Sequence, residues 1–126
     1  MKLFPILLTL FLSSTLLKAQ DSIGANKQER RALMLINSLP EVQRENDFRK
    51  KHNVKQLLKA YIQNTPTPEK KYYSVSISEN KGDRLFTYEW YEVDAKTFKI
   101  RYWDIVSDKT MTLAEKRKLA KRKPGN

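Results

Sequence analysis

The sequence predicts an α+β domain: an N-terminal helix or pair of helices packed on a three- to four-stranded antiparallel sheet, followed by a short basic C-terminal helix. Three observations predict it. Apolar residues recur at helical spacing ahead of Pro40; they alternate with serine and charged residues from Tyr72 to about Val106; and the connections between the alternating runs are too short for anything but antiparallel neighbours. The composition agrees, since 126 residues that are 40% hydrophobic and 31% charged describe one globular domain rather than a disordered or fibrous chain. Cysteine is absent from the sequence, which removes disulfides, thiolate nucleophiles and Cys metal ligands together.

Residues 1–19 read as a secretory signal peptide. Lys2 precedes an apolar run from Leu3 to Leu12, Ser13, Ser14 and Thr15 follow, and Ala19 offers a small residue for cleavage. The run is shorter than the roughly 20 residues a spanning helix needs. The expected location is therefore periplasmic or extracellular. Without residues 1–19, and so without Lys2 and Lys18, 107 residues with a formal charge of +9 remain, enough for an independent core.

Residues 20–25 are a polar leader, and the domain is expected over residues 26–108. Asn26 and Glu29 have the spacing of a reciprocal N-terminal cap, with Ala32, Leu35, Ile36 and Leu39 on one helical stripe, which predicts a helix over about 27–38. Ser38 and Glu41 repeat the cap spacing around Pro40, so a second helix runs to about Lys51. Only Val42 and Phe48 are apolar in it, which places it on the surface. Residues 54–63 fit a helix through Val54, Leu57, Leu58 and Tyr61 and a strand through Leu58, Ala60 and Ile62. Pro66 and Pro68 then interrupt regular structure.

Tyr73, Val75 and Ile77 alternate with serines in one strand, and residues 80–83 form a turn. The next strand, Leu85 to Val93, places Phe86, Tyr88 and Trp90 on one face and Leu85, Thr87, Glu89, Tyr91 and Val93 on the other. After a turn at residues 94–97, Phe98, Ile100 and Tyr102 alternate with Lys99, Arg101 and Trp103. From residue 109 onward the chain reads as a basic tail, residues 109–126, in which Thr112 and Glu115 cap a helix from Leu113 to about Lys123.

The stretch from Tyr72 to Ile100, above all Tyr91-Glu92-Val93-Asp94-Ala95-Lys96-Thr97-Phe98-Lys99-Ile100, resembles the end of a PepSY-type domain, where a strand runs into a V-D-A-x-T-G-K turn. It covers about a quarter of the chain and departs from the pattern at Phe98, where the family has Gly. The whole layout is also similar to small uncharacterised secreted bacterial proteins. The resemblance implies a strand at about 57–63 and a non-catalytic inhibitory or interaction module of the cell envelope.

No catalytic constellation accompanies it. His52, the single imidazole, has no nucleophile near it in sequence; Asp94, Asp104 and Asp108 sit where turns need them; Glu89 and Glu92 point to opposite faces of a regular strand; and three glycines make no phosphate loop. No enzyme activity, cofactor, metal or small-molecule substrate is expected. Two surfaces remain as candidates. Alternation places Tyr72, Tyr91 and Trp103 away from the main core, where they would engage a protein partner in the envelope or outside the cell. The alternative is binding of a polyanion (anionic lipid, lipopolysaccharide or nucleic acid) through Lys116, Arg117, Lys118, Lys121, Arg122 and Lys123.

Overall fold

The computed structural model describes residues 26–122, so the expected signal peptide, the leader and Lys123 lie outside the described residues. The chain runs α1 (Lys27–Asn37), α2 (Pro40–Lys51), β1 (Leu58–Asn64), β2 (Tyr72–Asn80), β3 (Leu85–Asp94), β4 (Ile100–Asp104), β5 (Lys109–Thr112) and α3 (Leu113–Lys121). It is an α+β fold: the five strands form one antiparallel meander in chain order. The fifth strand is the part the sequence reading misses. Four residues, Lys-Thr-Met-Thr, carry too little alternation to announce a strand, yet they pair with β4 from Arg101↔Thr112 to Asp104↔Lys109, so residues 109–112 belong to the sheet rather than to a free tail.

Helix α1 starts as its cap predicts, with the Asn26 side chain accepting from the Glu29 N–H at 2.8 Å. Its buried stripe is Ala32, Leu33 and Ile36, continued by Leu39, with Leu33 in the place expected of Leu35. The second cap differs from expectation. Ser38 closes α1, donating its N–H to Met34, so Leu39 becomes the cap residue of α2 without a side-chain bond and Pro40 takes the first helical position. Residues 58–64 resolve as a strand because Ala60 and Ile62 lie opposite Ile77 and Val75, which turns a period-two face onto α1.

The core is one-sided. Ala32, Leu33, Ile36 and Leu39 of α1 and Val42 of α2 meet Leu58, Ala60, Tyr73, Val75, Ile77, Tyr91 and Val93 of the sheet, and Ile100, Tyr102 and Leu113 extend the layer toward α3. The other sheet face carries Ser74, Ser76, Ser78, Glu92, Trp90, Arg101 and Trp103, as the register requires.

A β-bulge decides where the aromatic residues go. Ile77 pairs with Glu89 but Ser78 pairs with Thr87, which leaves Tyr88 as the extra residue. Alternation restarts there. Phe86 and Tyr88 therefore join Glu89, Tyr91 and Val93 on the helix-bearing side, while Trp90 alone of the three predicted face-mates stays on the other.

The β3–β4 turn keeps a strained residue where the PepSY pattern has glycine. Phe98 has φ +58°, a left-handed conformation that costs a bulky side chain about 1–2 kcal/mol. Asp94 holds the turn by accepting from the Lys96 and Thr97 N–H groups at 2.8 and 2.9 Å, bonds that keep its carboxyl below the usual range, with Thr97 the larger cause. The Phe98 ring packs against the core under the Arg31 guanidinium, 4.1 Å from its centroid. Phe98→Ala keeps the backbone strain and loses the packing, whereas Phe98→Gly loses both. In urea unfolding, Phe98→Gly is therefore expected to be more stable than Phe98→Ala by about 1 kcal/mol; the reverse order would mean that the turn stores no strain.

Candidate functional site

The sheet end formed by the start of β1, the end of β2 and the start of β3 gathers the largest exposed aromatic cluster of the described residues. Phe86 and Tyr88 are 47% and 46% exposed, with ring centroids 5.1 Å apart, and Leu85 beside them is exposed as well. Phe48, stacked on His52, and Val54 and Leu57 in the following loop add exposed apolar surface at the same end. Grouped exposed apolar side chains of this kind mark interaction sites more often than scattered ones do.

What holds this cluster is a buried ion pair. Arg49, 8% exposed at the end of α2, donates to Glu79 at 2.8 Å, to the Gln56 carbonyl at 3.1 Å and to Glu45 at 3.3 Å. Its guanidinium carbon lies 5.3 Å from the centre of the Tyr88 ring. Glu79 accepts also from Lys81 at 3.2 Å and from the Tyr88 hydroxyl at 3.5 Å, and Lys81 sits 5.4 Å from the Phe86 ring centre. Arg49 first and Lys81 second hold the Glu79 carboxyl below the ordinary carboxylate range. Sequence reading missed the cluster because Arg49 and Glu79 are 30 residues apart and each looks like a solvated charge; the only local signal was the surplus of aromatic residues in β3.

Beside Tyr88 a crevice of about 310 Å³ opens between α2, α3 and the sheet. Val42, Leu58 and Ile77 line its apolar part, and Glu45, Glu89 and Lys116 its polar part. The end of the molecule thus offers an aromatic projection next to an apolar opening, both built on elements rather than loops.

The predicted partner-facing residues separate. Tyr91 is overturned as a surface residue: it is 1% exposed and lies opposite Val75 in the core. The cause is the face assignment, since Val93 and Tyr91 share the side that α1 and α3 cover. Tyr72 and Trp103 are half-buried on the opposite face, where Arg101 lies 4.9 Å from the Tyr72 ring centre and pairs with Glu92 at 3.0 Å. Trp103 makes an edge contact with Trp90 at 5.6 Å and donates its indole N–H to Asp108 at 2.9 Å.

The predicted cationic surface also divides. Lys116 turns inward, donating to the Tyr91 hydroxyl at 3.0 Å, 3.5 Å from Glu89 and 4.4 Å from the Tyr102 ring centre. Arg117 grips Glu41 of α2 through two bonds of 2.8 and 3.1 Å, which draws the Glu41 carboxyl downward. Lys118, Lys121 and Arg122 face solvent. Two of the five described cations thus fasten α3 to the domain, aided by the capping box of Thr112 and Glu115.

The remaining candidates for chemistry are occupied locally. His52 Nδ1 lies 2.9 Å from the Phe48 carbonyl, and Asp104 and Asp108 bond the Val106 N–H and the Trp103 indole. Among the described residues no three His, Cys, Asp or Glu side chains converge as metal ligands, and no helix is long and apolar enough to cross a membrane. No protein-family model, curated protein or solved structure matches the chain.

Proposed function

We propose that the protein is an exported, non-catalytic binding or inhibitory module that engages another envelope or secreted protein through the Phe86–Tyr88 end of its sheet. The observation that carries this reading is the exposed aromatic pair held by the buried Arg49–Glu79 bond beside an open apolar crevice. Aromatic side chains fixed before contact lose little entropy on binding and are common binding hot spots. Lys50, Lys51, Lys55, Lys81 and Arg84 are exposed on the segments that carry the cluster and outnumber the exposed Glu45, Asp47 and Asp83 there, so the complementary partner surface is an apolar projection with carboxylates at its rim. The PepSY-like turn and the signal-peptide pattern are consistent with such a module.

Capture from envelope and culture fractions tests the reading. The parent chain is expected to retain one protein at both low and high salt, and Phe86→Ala with Tyr88→Ala to lose it by 30-fold or more, roughly the 2 kcal/mol of a hot spot. The exposed pair makes its contacts at the rim of the core, so the double variant should keep its fold by circular dichroism. Replacement of Lys118, Lys121 and Arg122 by Gln should leave capture intact. Loss in the cation variant with retention in the aromatic variant would transfer the function to α3 and a polyanion.

A further inference from the structure

The opposite end of the sheet carries a second surface of different chemistry. A groove of about 590 Å³ runs between α1 and the β3–β4 turn, with Met34, Ala95 and Phe98 as its apolar part and Lys27, Arg30 and Arg31 along one side. Met34 is 61% exposed, although it sits in the middle of a helix whose Ala32, Leu33 and Ile36 are buried. The three cations form no ion pair among the described residues, whereas Arg49, Arg101, Lys116 and Arg117 each hold a carboxylate. Lys71, whose carbonyl accepts from the Ala95 N–H, and Lys96 and Lys99 of the turn are exposed on the same end. The carboxylates there are Glu29, joined to Asn26, Asp94, held by the turn amides, and Glu69.

From this geometry we infer an anionic phospholipid site: the phosphate headgroup lies against Lys27, Arg30 and Arg31, and the upper acyl chain enters along Met34, Ala95 and Phe98. Charge complementarity names the head, and the apolar floor of exposed Met34 with half-buried Ala95 and Phe98 names the tail. An inorganic anion leaves that floor unused. The strained Phe98 backbone fits this role, because the left-handed turn is what brings the ring to the groove. This site does not depend on the aromatic cluster. Ten residues of β3 separate the two, about 30 Å along the strand, so a lipid-bound molecule presents its protein-binding end away from the surface.

Methionine methyl NMR on the full chain tests it, because Met34 reports the groove and Met111, beside Lys118 and Arg122, reports the α3 surface. Dihexanoyl phosphatidylglycerol, titrated below its micelle concentration, is expected to shift Met34 and leave Met111 in place, at about one hundredth of the concentration that dihexanoyl phosphatidylcholine needs, as three cations at about fivefold each imply. Lys27→Gln with Arg30→Gln should weaken the phosphatidylglycerol response by about fivefold per charge removed and leave the phosphatidylcholine response unchanged. A shift at Met111 in place of Met34, equal response to both lipids, the same Met34 shift from inorganic phosphate alone, or no shift would each overturn the proposal.

Discussion

Tyr91→Ala is expected to remove about 3–5 kcal/mol of folding stability, a large share of the roughly 5–15 kcal/mol that holds a small domain together. Tyr91 is the largest fully buried side chain of the described residues, opposite Val75, in edge contact with Tyr102 at 5.7 Å and bonded through its hydroxyl to Lys116. Truncation opens a cavity at the junction of the sheet with α3 and also strips Lys116 of one hydrogen bond and one aromatic face. Tyr91→Phe separates these terms, since it keeps the ring and loses only the hydroxyl bond, about 1 kcal/mol. Burial first, and Glu89 second, push the Tyr91 phenol well above its usual value. Its folded pKa thus lies above the unfolded value of about 10, so its contribution is complete below that pH and is lost as pH rises toward the folded value. Urea denaturation between pH 8 and 12 should show a steeper alkaline loss for the parent than for Tyr91→Phe. A cost below about 0.5 kcal/mol for Tyr91→Ala would return Tyr91 to the surface and sink the core assignment.

The parts of this molecule that follow local rules were legible, and the parts set by pairing were not. Asn26 with Glu29, Thr112 with Glu115, and the Tyr73-Val75-Ile77 alternation each report themselves within a few residues, because a cap or a strand face is a short-range object. The bulge at Tyr88 does not. One unpaired residue reverses every side chain beyond it, and only the register with β2 reveals it, so local alternation alone gives Phe86 and Tyr88 the face of Trp90. Strand β5 was equally silent, since four residues become a strand only when β4 offers its edge. Charges are illegible locally for a related reason. Arg49, Lys116 and Arg117 look alike in a basic sequence, and only their distant partners Glu79, Glu89 and Glu41 show that they fasten helices to the sheet and to each other.

Arg49→Ala is expected to combine the second large loss of stability with loss of partner capture. Removing the guanidinium leaves Glu79, at the sheet end, with Lys81 and Tyr88 alone, and deprives the Gln56 carbonyl of its donor. Breaking the pair from one side is costly because the carboxylate keeps only the solvent-facing Lys81 and the distant Tyr88 hydroxyl as partners. Arg49→Lys should not restore it: one ammonium cannot reach Glu45, Gln56 and Glu79 in the planar arrangement that the guanidinium spans. Arg49→Met with Glu79→Leu should recover most of the stability, since it removes both charges and fills the space with apolar groups. Binding should stay lost in that double variant, because nothing then orients Tyr88. The pH dependence carries the same signature. Glu79 has a depressed folded pKa, so its contribution is present above the unfolded carboxylate value of about 4.3 and disappears as pH falls through the folded value. Acid unfolding of the parent should therefore show a Glu79-dependent limb below pH 4 that Arg49→Met with Glu79→Leu lacks. Stability restored together with partner capture would show that the ion pair does not position the aromatic cluster. Stability restored without capture would assign the Arg49–Glu79 pair the role the geometry gives it, holding Phe86 and Tyr88 in place for a partner.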